Sequence, residues 1–297
     1  MRSLWIGLLI VALFVLLLTS VSSALAVAAG RMLHYGEVLA FASTRSRNSE
    51  IYLLDIRLNL LVNLTRHPAF DGEPAWSPDG TQLAFTSMRD GNRDIYLMNY
   101  DGSSPRNLTR HFADDTQPIW SSDGSRVAFM SDRLNLSSFV IDLAGAEAVS
   151  LPGSRAFYDI VGQSPDRTLI VYVSSADRNL DLFVTDHSGQ QVTRLTNDAA
   201  PDFNPVWSPD GKQIAFVKSE AGNLEIYVAD IASGETRNLT RHEANDSAPA
   251  WSPSGEWIAF VTNRSGLNEV FLINPTSGEL RNLTRRVGQE TAPVWMP

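Results

Sequence analysis

Residues 73–109 read EPAWSPDGTQLAFTSMRDGNRDIYLMNYDGSSPRNLT, and related copies of this stretch follow one another along the chain. A tryptophan recurs at one phase of the copies, at Trp76, Trp120, Trp207, Trp251 and Trp295. The spacings are 44, 87, 44 and 44 residues, and the spacing of 87 is one copy of 43 plus one of 44, with Gln163 at the missing position. A fixed period of this length indicates a repeat architecture.

Three further landmarks keep the same phase. One aromatic position is occupied by Phe41, Phe85, Phe129, Tyr172, Phe216 and Phe260. A second is occupied by Tyr52, Tyr96, Phe139, Phe183, Tyr227 and Phe271. The tetrapeptide Asn-Leu-Thr-Arg begins at Asn63, Asn107, Asn238 and Asn282. Because independent landmarks agree, the repeat extends over the whole body of the chain.

Each copy reads as four short strands, which in residues 73–109 are 73–77, 82–86, 94–98 and 105–109. The Ser-Pro-Asp-Gly that follows the tryptophan is a turn, because proline presets φ and glycine accepts a positive φ. No stretch of ten or more residues in the body has a helical period. Four strands per repeat predict a propeller blade.

The number of copies predicts a closed ring. The final Trp295-Met296-Pro297 matches Trp76-Ser77-Pro78, and Tyr35-Gly36 matches Asp79-Gly80. Residues 35–297 therefore hold five copies of 44 residues and one of 43. We predict an all-β fold, a six-bladed β-propeller of four-stranded antiparallel blades. Its C-terminal strand joins the first blade and so removes the open sheet edges of an incomplete ring.

The fourth copy, residues 158–197, departs from the pattern. Gln163 replaces the tryptophan, Val161 replaces a proline, and Arg167 replaces the turn glycine. The departure favours sequence drift, and the alternative is that this side of the ring carries something specific.

Residues 1–30 have the features of an export segment. Arg2 is their only charged side chain, residues 4–18 are almost wholly apolar, and Ala24-Leu25-Ala26 fits a signal-peptidase site. As a helix the segment is also long enough to span a bilayer. We expect a cleaved signal peptide or a signal anchor at 1–30 and a short linker at 31–34. The propeller would then lie outside the cytoplasmic membrane, with residues 4–30 as its membrane contact if they are retained.

The composition excludes several classes of protein. The 297 residues include no cysteine, which excludes disulfide scaffolds, thiolate metal sites and cysteine nucleophiles. With 33 acidic and 24 basic residues the net charge is -9, which argues against a nucleic-acid partner. No phosphate-binding, dinucleotide-binding, nucleophile-elbow or zinc-protease motif is present. We expect a monomer.

The repeat resembles the WD40-like (PD40) repeat of TolB-type propellers. The residues that carry the resemblance are Pro74–Gly80, Leu83–Phe85, Asn92–Tyr96 and Asn107–Thr109 with their equivalents, and it extends over 35–297. It implies a β-propeller and, by similarity to the TolB propeller, a role in the cell envelope. Similar blades occur in prolyl-oligopeptidase-like peptidases, but this sequence shows no hydrolase signature.

Acidic residues recur just before the predicted innermost strand, at Asp71, Asp115, Asp202, Asp246 and Glu290, with Tyr158 at the sixth position. Sixfold geometry would gather them at one mouth of the channel, as a candidate binding site for Ca²⁺ or for a basic segment of a partner. The alternative is that each carboxylate accepts hydrogen bonds from loop N–H groups and anchors its own blade.

Two other phased sets favour structural roles. The histidines His67, His111 and His242 lie a full blade or more apart, which favours loop residues over a zinc site. The acids Glu50, Asp94, Asp181, Glu225 and Glu269 precede the third strand and are expected to cap loop N–H groups or to pair with arginines. We assign no catalytic residue, metal ligand or cofactor, apart from the Ca²⁺ considered above.

Two functional classes follow. The first is an exported, non-catalytic propeller that binds a protein partner on one face, as an interaction or scaffold module of the cell envelope. The alternative is a propeller that binds carbohydrate or a small ligand, or a hydrolase or lyase, using the acidic channel mouth. An active site would need carboxylates or histidines that break the repeat, and the sequence shows no such cluster, so we predict that the protein is not an enzyme.

Overall fold

The computed structural model describes residues 37–134, 137–145, 147–150, 162–175, 179–186, 190–220, 222–285 and 288–297. Across these residues the strands form six four-stranded antiparallel sheets. In each sheet the first strand contacts the first strand of a neighbouring blade, so these strands surround a common axis. The predicted six-bladed β-propeller is confirmed.

Each blade has its strands in order from the axis to the rim. Blade 1 contains β1 (Val38–Ser43), β2 (Glu50–Asp55) and β3 (Leu60–Asn63). Blade 2 contains β4 (Asp71–Trp76), β5 (Gln82–Ser87), β6 (Asp94–Asn99) and β7 (Arg106–Asn107). Blade 3 contains β8 (Asp115–Trp120), β9 (Arg126–Ser131), β10 (Ser137–Asp142) and β11 (Val149–Ser150). A 3₁₀ turn, Asp132–Leu134, follows β9.

Blades 4 to 6 continue the same order. Blade 4 contains β12 (Gly162–Gln163), β13 (Leu169–Ser174), β14 (Asp181–Asp186) and β15 (Val192–Arg194). Blade 5 contains β16 (Asp202–Trp207), β17 (Gln213–Glu220), β18 (Asn223–Asp230) and β19 (Thr236–Asn238). Blade 6 contains β20 (Asp246–Trp251), β21 (Ile258–Thr262), β22 (Glu269–Ile273) and β23 (Leu280–Asn282). The last strand, β24 (Glu290–Trp295), is the innermost strand of blade 1.

The ring closes as the sequence predicts. Strand β24 pairs antiparallel with β1, with Val294 opposite Ala40 and Trp295 opposite Leu39. The C-terminal end of the chain therefore supplies the inner strand of the blade that the N-terminal end begins, and both edges of the ring are paired.

Phased aromatic residues hold neighbouring blades together. Trp76 of blade 2 packs in one buried cluster with Leu83 of its own blade and with Val38 and Ile51 of blade 1. The indole Nε1 atoms of three other tryptophans donate across a blade boundary at 3.0 Å, from Trp120 to Ala75 O, from Trp207 to Gly162 O and from Trp295 to Ala250 O. Burial of each large apolar side chain stabilises the ring by about 1.5–3 kcal/mol.

The inner strands are interrupted by a bulge two residues after their first, acidic residue. The bulged residue has a left-handed backbone in five blades: Glu73, Gln117, Asn204, Ala248 and Ala292, with φ between 49° and 55°. A bulge re-aims the side chains around it. In blade 2 the bulged Glu73 uses its Oε2 to accept hydrogen bonds from Thr86 and from the backbone N–H of Gln117 in blade 3.

Blade 4 keeps its outer three strands, but its described inner strand is only two residues long. Arg167, at the position of the turn glycine, adopts φ 61°. Its Nη2 donates to Ser122 O of blade 3 at 3.1 Å. Residues 151–161, which include the predicted site residue Tyr158, lie outside the described residues.

The predicted export segment and linker also lie outside the described residues, which begin at Glu37. Within the part of the chain that is described, no helix is both long and apolar enough to cross a membrane.

Candidate functional site

The propeller has two different faces. The loop face carries the loops between second and third strands and the loops that lead into the next blade. The turn face carries the Ser-Pro-Asp-Gly turns and the turns between third and fourth strands. Asp71 opens β4 opposite Ser87, the last residue of β5, so the phased inner-strand acids lie at the loop face.

Each described inner-strand acid is fully buried and faces a base from its own blade. The closest nitrogen–oxygen distances are 2.9 Å for Arg89 and Asp71, 2.7 Å for Arg133 and Asp115, 3.0 Å for Arg264 and Asp246, and 2.8 Å for Arg45 and Glu290. The arginines come from the loop after the second strand. They recur with the repeat, at 45, 89, 133 and 264, and this phased signal is present in the sequence although the acids alone do not reveal it.

Aromatic rings hold each guanidinium in place. The Cζ atom of Arg89 lies 5.4 Å from the centre of the Phe85 ring and 5.5 Å from that of Tyr96. Arg45, Arg133 and Arg264 contact the equivalent two rings of their blades. A cation over a ring face is attracted by the ring quadrupole. Two of the aromatic landmarks in the sequence therefore also position the base that neutralises the inner-strand acid.

Blade 5 neutralises its acid differently. Glu220 stands at the position of the arginine, and Lys218 occupies the position held by Ser87 in blade 2, directly opposite Asp202. The Nζ atom of Lys218 lies 4.0 Å from Asp202 Oδ1 and makes its closer ion pair with Asp198. Neither carboxylate oxygen of Asp202 accepts a hydrogen bond.

Burial dominates the electrostatics of these acids. It raises the pKa of Asp202 to about 6, and the Thr196 hydroxyl together with the positive charge of Lys218 offsets only part of this rise. Burial also raises the pKa of Asp246 and of Glu290, against the opposing influence of a hydroxyl and an arginine in each case: Thr262 and Arg264 for Asp246, and Ser43 and Arg45 for Glu290. Removal from water disfavours the charged form of a carboxyl group.

The acids are not gathered into one metal-binding cluster among the residues described. No three or more histidine or acidic side chains in that part of the chain lie close enough together to hold a metal ion. Four of the five carboxylates contact guanidinium groups and Asp202 faces Lys218, whereas the alternative considered for the sequence was hydrogen bonds from loop N–H groups. This arrangement suits an anchor for each blade, while binding of Ca²⁺ or a basic segment, and any part played by Tyr158, remain predictions.

The other phased sets lie in the loops that join blades. The Nδ1 atom of His111 accepts the N–H of Ala113, and His67 and His242 make the equivalent bond. The carboxylate of Asp94 accepts hydrogen bonds from Thr109 Oγ1 and from the backbone of His111. Glu50 and Glu225 accept the corresponding two bonds in their blades. These residues fix loop conformation, as the sequence indicated.

The loop face also carries apolar side chains that break the repeat, at the boundary of blades 2 and 3. We call Phe70, Met88, Phe112 and Leu134 the loop-face patch. Met88, Phe112 and Leu134 are 40%, 89% and 59% exposed. The positions equivalent to Phe112 hold Pro68, Ala199, Glu243 and Val287, none of them aromatic. The phased landmarks did not predict this patch, because they consist of residues that the copies share.

Polar contacts connect the segments that carry Phe70, Met88 and Leu134 of the loop-face patch. The N–H of Met88 donates to Phe70 O at 3.0 Å. The guanidinium of Arg93 lies 5.9 Å from the centre of the Phe70 ring, and Arg93 also pairs with Asp114. Asp114 in turn exchanges hydrogen bonds with Asp132, two residues before Leu134. Phe112 lies on the same loop as Asp114, so charged side chains border the patch.

Comparison with known families settles the kind of propeller. The family model described as TolB beta propeller domain (PD40) matches residues 34–151 and 138–297. The chain belongs to this family. A search of curated protein sequences finds no match.

Solved structures agree with the TolB-type fold. TolB from Acinetobacter baumannii superposes with a TM-score of 0.76 at 20% identity, covering 89% of this chain and 67% of that chain. A structure described as putative TolB from Agrobacterium tumefaciens gives 0.65 at 22% identity, covering 82% and 88%. Oligogalacturonate lyase from Vibrio parahaemolyticus gives 0.53 at 14% identity, covering 84% and 74%. At these identities the likeness concerns the fold alone.

Proposed function

We propose that this TolB-type propeller is a non-catalytic module of the cell envelope, exported across the cytoplasmic membrane, that binds a protein partner on its loop face. The observation that carries the proposal is the loop-face patch. Phe112 is 89% exposed on a loop where no equivalent residue is aromatic: those positions hold Pro68, Ala199, Glu243 and Val287. Large exposed apolar groups with a polar border are typical of protein-binding surfaces.

The patch has the physical features of a binding centre. The Phe112 side chain lies against the His111 ring, with centroids 4.2 Å apart, so part of its rotational freedom is already lost before binding. Arg93 and Asp114 flank the patch and are about half exposed, so they are available to a partner's charges. Aromatic anchors surrounded by polar groups dominate the energy of many interfaces.

The alternative, an enzyme or a small-ligand binder at the acidic channel mouth, has less support. The inner-strand acids are buried, and four of them are engaged by arginines. A general acid or base must reach the proton that it transfers. The lyase among the structural neighbours shares the fold and carries no argument about activity.

The test is site-specific photo-crosslinking in cells of the source organism. A benzophenone amino acid replaces Phe112 in the full chain, and the same probe replaces Val192, which is half exposed on the rim of blade 4. Both sites are exposed apolar side chains, and they lie on different parts of the ring. We expect a discrete protein adduct at 112 and none at 192.

Substitution then measures the contribution of the patch. Phe112→Ser should weaken binding of the captured partner by roughly 30-fold or more, the effect of a central aromatic anchor, while Val192→Ser should leave it unchanged. Absence of any adduct at 112 contradicts the proposal. Turnover of a glycan panel that persists in Phe112→Ser would instead favour the alternative.

A further inference from the structure

A second surface that breaks the repeat lies where the described chain begins. The carbonyl of Glu37 accepts a hydrogen bond from the N–H of Ile56 at 3.0 Å, so the chain joins the propeller on the turn face, beside the turn between β2 and β3. The preceding sequence has no charged side chain from Ser3 to Gly30. The six residues 31–36 can reach about 20 Å at full extension.

Three leucines are exposed at this turn and on the strand that follows it. We call Leu58, Leu60 and Leu61 the leucine edge; they are 51%, 37% and 37% exposed. They lie on and next to β3, the outermost strand of blade 1, whose outer edge has no partner strand among the residues described. An exposed apolar strand edge invites association unless something covers it.

Equivalent turns in blades 5 and 6 show that the backbone does not require these leucines. In all three turns the N–H of the fourth residue donates to the side chain of the first, to Asp55 from Leu58, to Asp230 from Ser233 and to Asn274 from Ser277. The position of Leu60 holds Glu235 and Glu279 in those blades. At the positions of Leu58 and Leu60 the same turn is therefore polar in blades 5 and 6, whereas the position of Leu61 holds Thr236 in blade 5 and the exposed Leu280 in blade 6.

We propose that the leucine edge lies against the surface of a lipid bilayer, and that residues 4–30 remain in that bilayer as an anchor. The inference goes beyond the protein-binding role and rests only on the proposed export. A tether of six residues keeps blade 1 within about 20 Å of the membrane, and the turn beside Glu37 is the surface it holds nearest. Leucine side chains partition into the head-group boundary, and the exposed Arg57 can extend its head group into water or toward phosphates.

The test uses the full chain in nanodiscs of phosphatidylethanolamine and phosphatidylglycerol. Because the sequence contains no cysteine, Leu58→Cys accepts a single bimane label, and Leu60→Cys provides a second position. Val192→Cys is the matched control, since it is also half exposed on an outer strand. Brominated lipid should quench the label at 58 roughly threefold or more strongly than the label at 192.

The glutamate found at the position of Leu60 in blades 5 and 6 supplies the decisive variant. Leu60→Glu, combined with Leu58→Cys, should reduce quenching to the level at 192 without unfolding the blade. Equal quenching at 58 and 192 would overturn the proposal. So would a stable dimer lost on Leu60→Glu, or recovery of the chain only without its first 30 residues. Crosslinking at Phe112 reports on the opposite face, so either proposal can fail while the other stands.

Discussion

Blades 2 and 5 bury the same carboxylate and neutralise it from different positions. In blade 2 the guanidinium of Arg89 reaches both oxygens of Asp71, through Nε at 3.3 Å and Nη2 at 2.9 Å. In blade 5 the cation is Lys218, two residues earlier in the repeat, and its nitrogen is 4.0 Å from Asp202. Both acids are fully removed from solvent.

The difference shows what the arginine contributes beyond charge. Its planar group donates to two oxygens and stacks on two rings, whereas lysine is a compact charge with no such geometry. Lys218 also serves Asp198, so Asp202 is left with a distant counter-ion and with oxygens that accept no hydrogen bond. The fold tolerates the second arrangement, in which burial raises the pKa of Asp202 to about 6 and the distant Lys218 offsets only part of that rise.

The largest effect is expected when the blade 2 pair is broken. Arg89→Met leaves the carboxylate of Asp71 buried without its partner, and we expect the free energy of unfolding to fall by about 3–5 kcal/mol. Denaturant unfolding at neutral pH measures it. Asp71→Asn in the same chain should recover most of the loss, because no buried charge then remains.

A matched pair in the same blade controls for loss of an arginine. Arg93 pairs with Asp114 at 3.8 Å, and both side chains are close to half exposed. Arg93→Met should cost less than about 1 kcal/mol, the range of surface ion pairs. Equal losses from the two substitutions would show that burial of the pair is not what matters.

The unusual acid of blade 5 should make the free energy of unfolding depend on pH. The pKa of Asp202 is raised to about 6, whereas an unperturbed aspartate titrates near 3.8, so between these values the folded chain holds a proton that the unfolded chain has released. The contribution of this carboxyl group to the free energy of unfolding is fully present below pH 4 and is lost as the pH rises through 6. The loss should amount to roughly 1–3 kcal/mol. Unfolding of Asp202→Asn across pH 4–8 should lack it.

Exchange of the two basic positions gives the converse experiment. Lys218→Ser with Glu220→Arg places the blade 2 residues in blade 5. The guanidinium should then lower the pKa of Asp202 from about 6, and the loss of stability between pH 4 and 6 should become smaller. An unchanged pH profile in this variant, or the same profile in Asp202→Asn, would mean that Asp202 is not its source.

These contrasts mark what the repeat phase predicts and what it does not. The ring, its six blades and the pairing of Val294 with the segment near Phe41 follow from phase alone, because a repeat fixes which residues share an environment. The structure places the described acids at the loop-face ends of the inner strands, but their spacing did not indicate their basic partners. The contact between Arg89 and Asp71 depends on a hairpin returning to the inner strand, a three-dimensional feature that spacing does not contain.

Other features could not be predicted from phase for a different reason. Phe112, Leu58 and Leu60 were not identified because they belong to no repeated set. Their exposure is a property of the folded surface. It becomes informative only when each loop is compared with the equivalent loops of the other blades. The role of Lys218 was also not predicted. Its position in the sequence does not indicate that it takes over the role of the arginine that the other blades carry two residues later.

The smallest effect is expected at the turn face, where blades 2 and 5 are alike. Asp79 Oδ1 accepts hydrogen bonds from Ser77 Oγ at 2.6 Å and from the N–H of Thr81 at 3.1 Å, and Asp210 makes the same two bonds to Ser208 and Lys212. The serine hydroxyl, as the main cause, lowers the pKa of each aspartate. Each therefore stabilises the fold above pH 4 and loses that contribution as the pH falls, opposite in sign to Asp202.

Asp79→Asn and Asp210→Asn should thus produce the same small loss at neutral pH, less than about 1 kcal/mol because asparagine still accepts a hydrogen bond. Thermal unfolding of the two variants, at pH 3 and at pH 7, is the measurement. Matching losses that shrink at pH 3 would restrict the difference between the blades to the loop face. A loss confined to one variant would show instead that the change in blade 5 reaches through the whole blade.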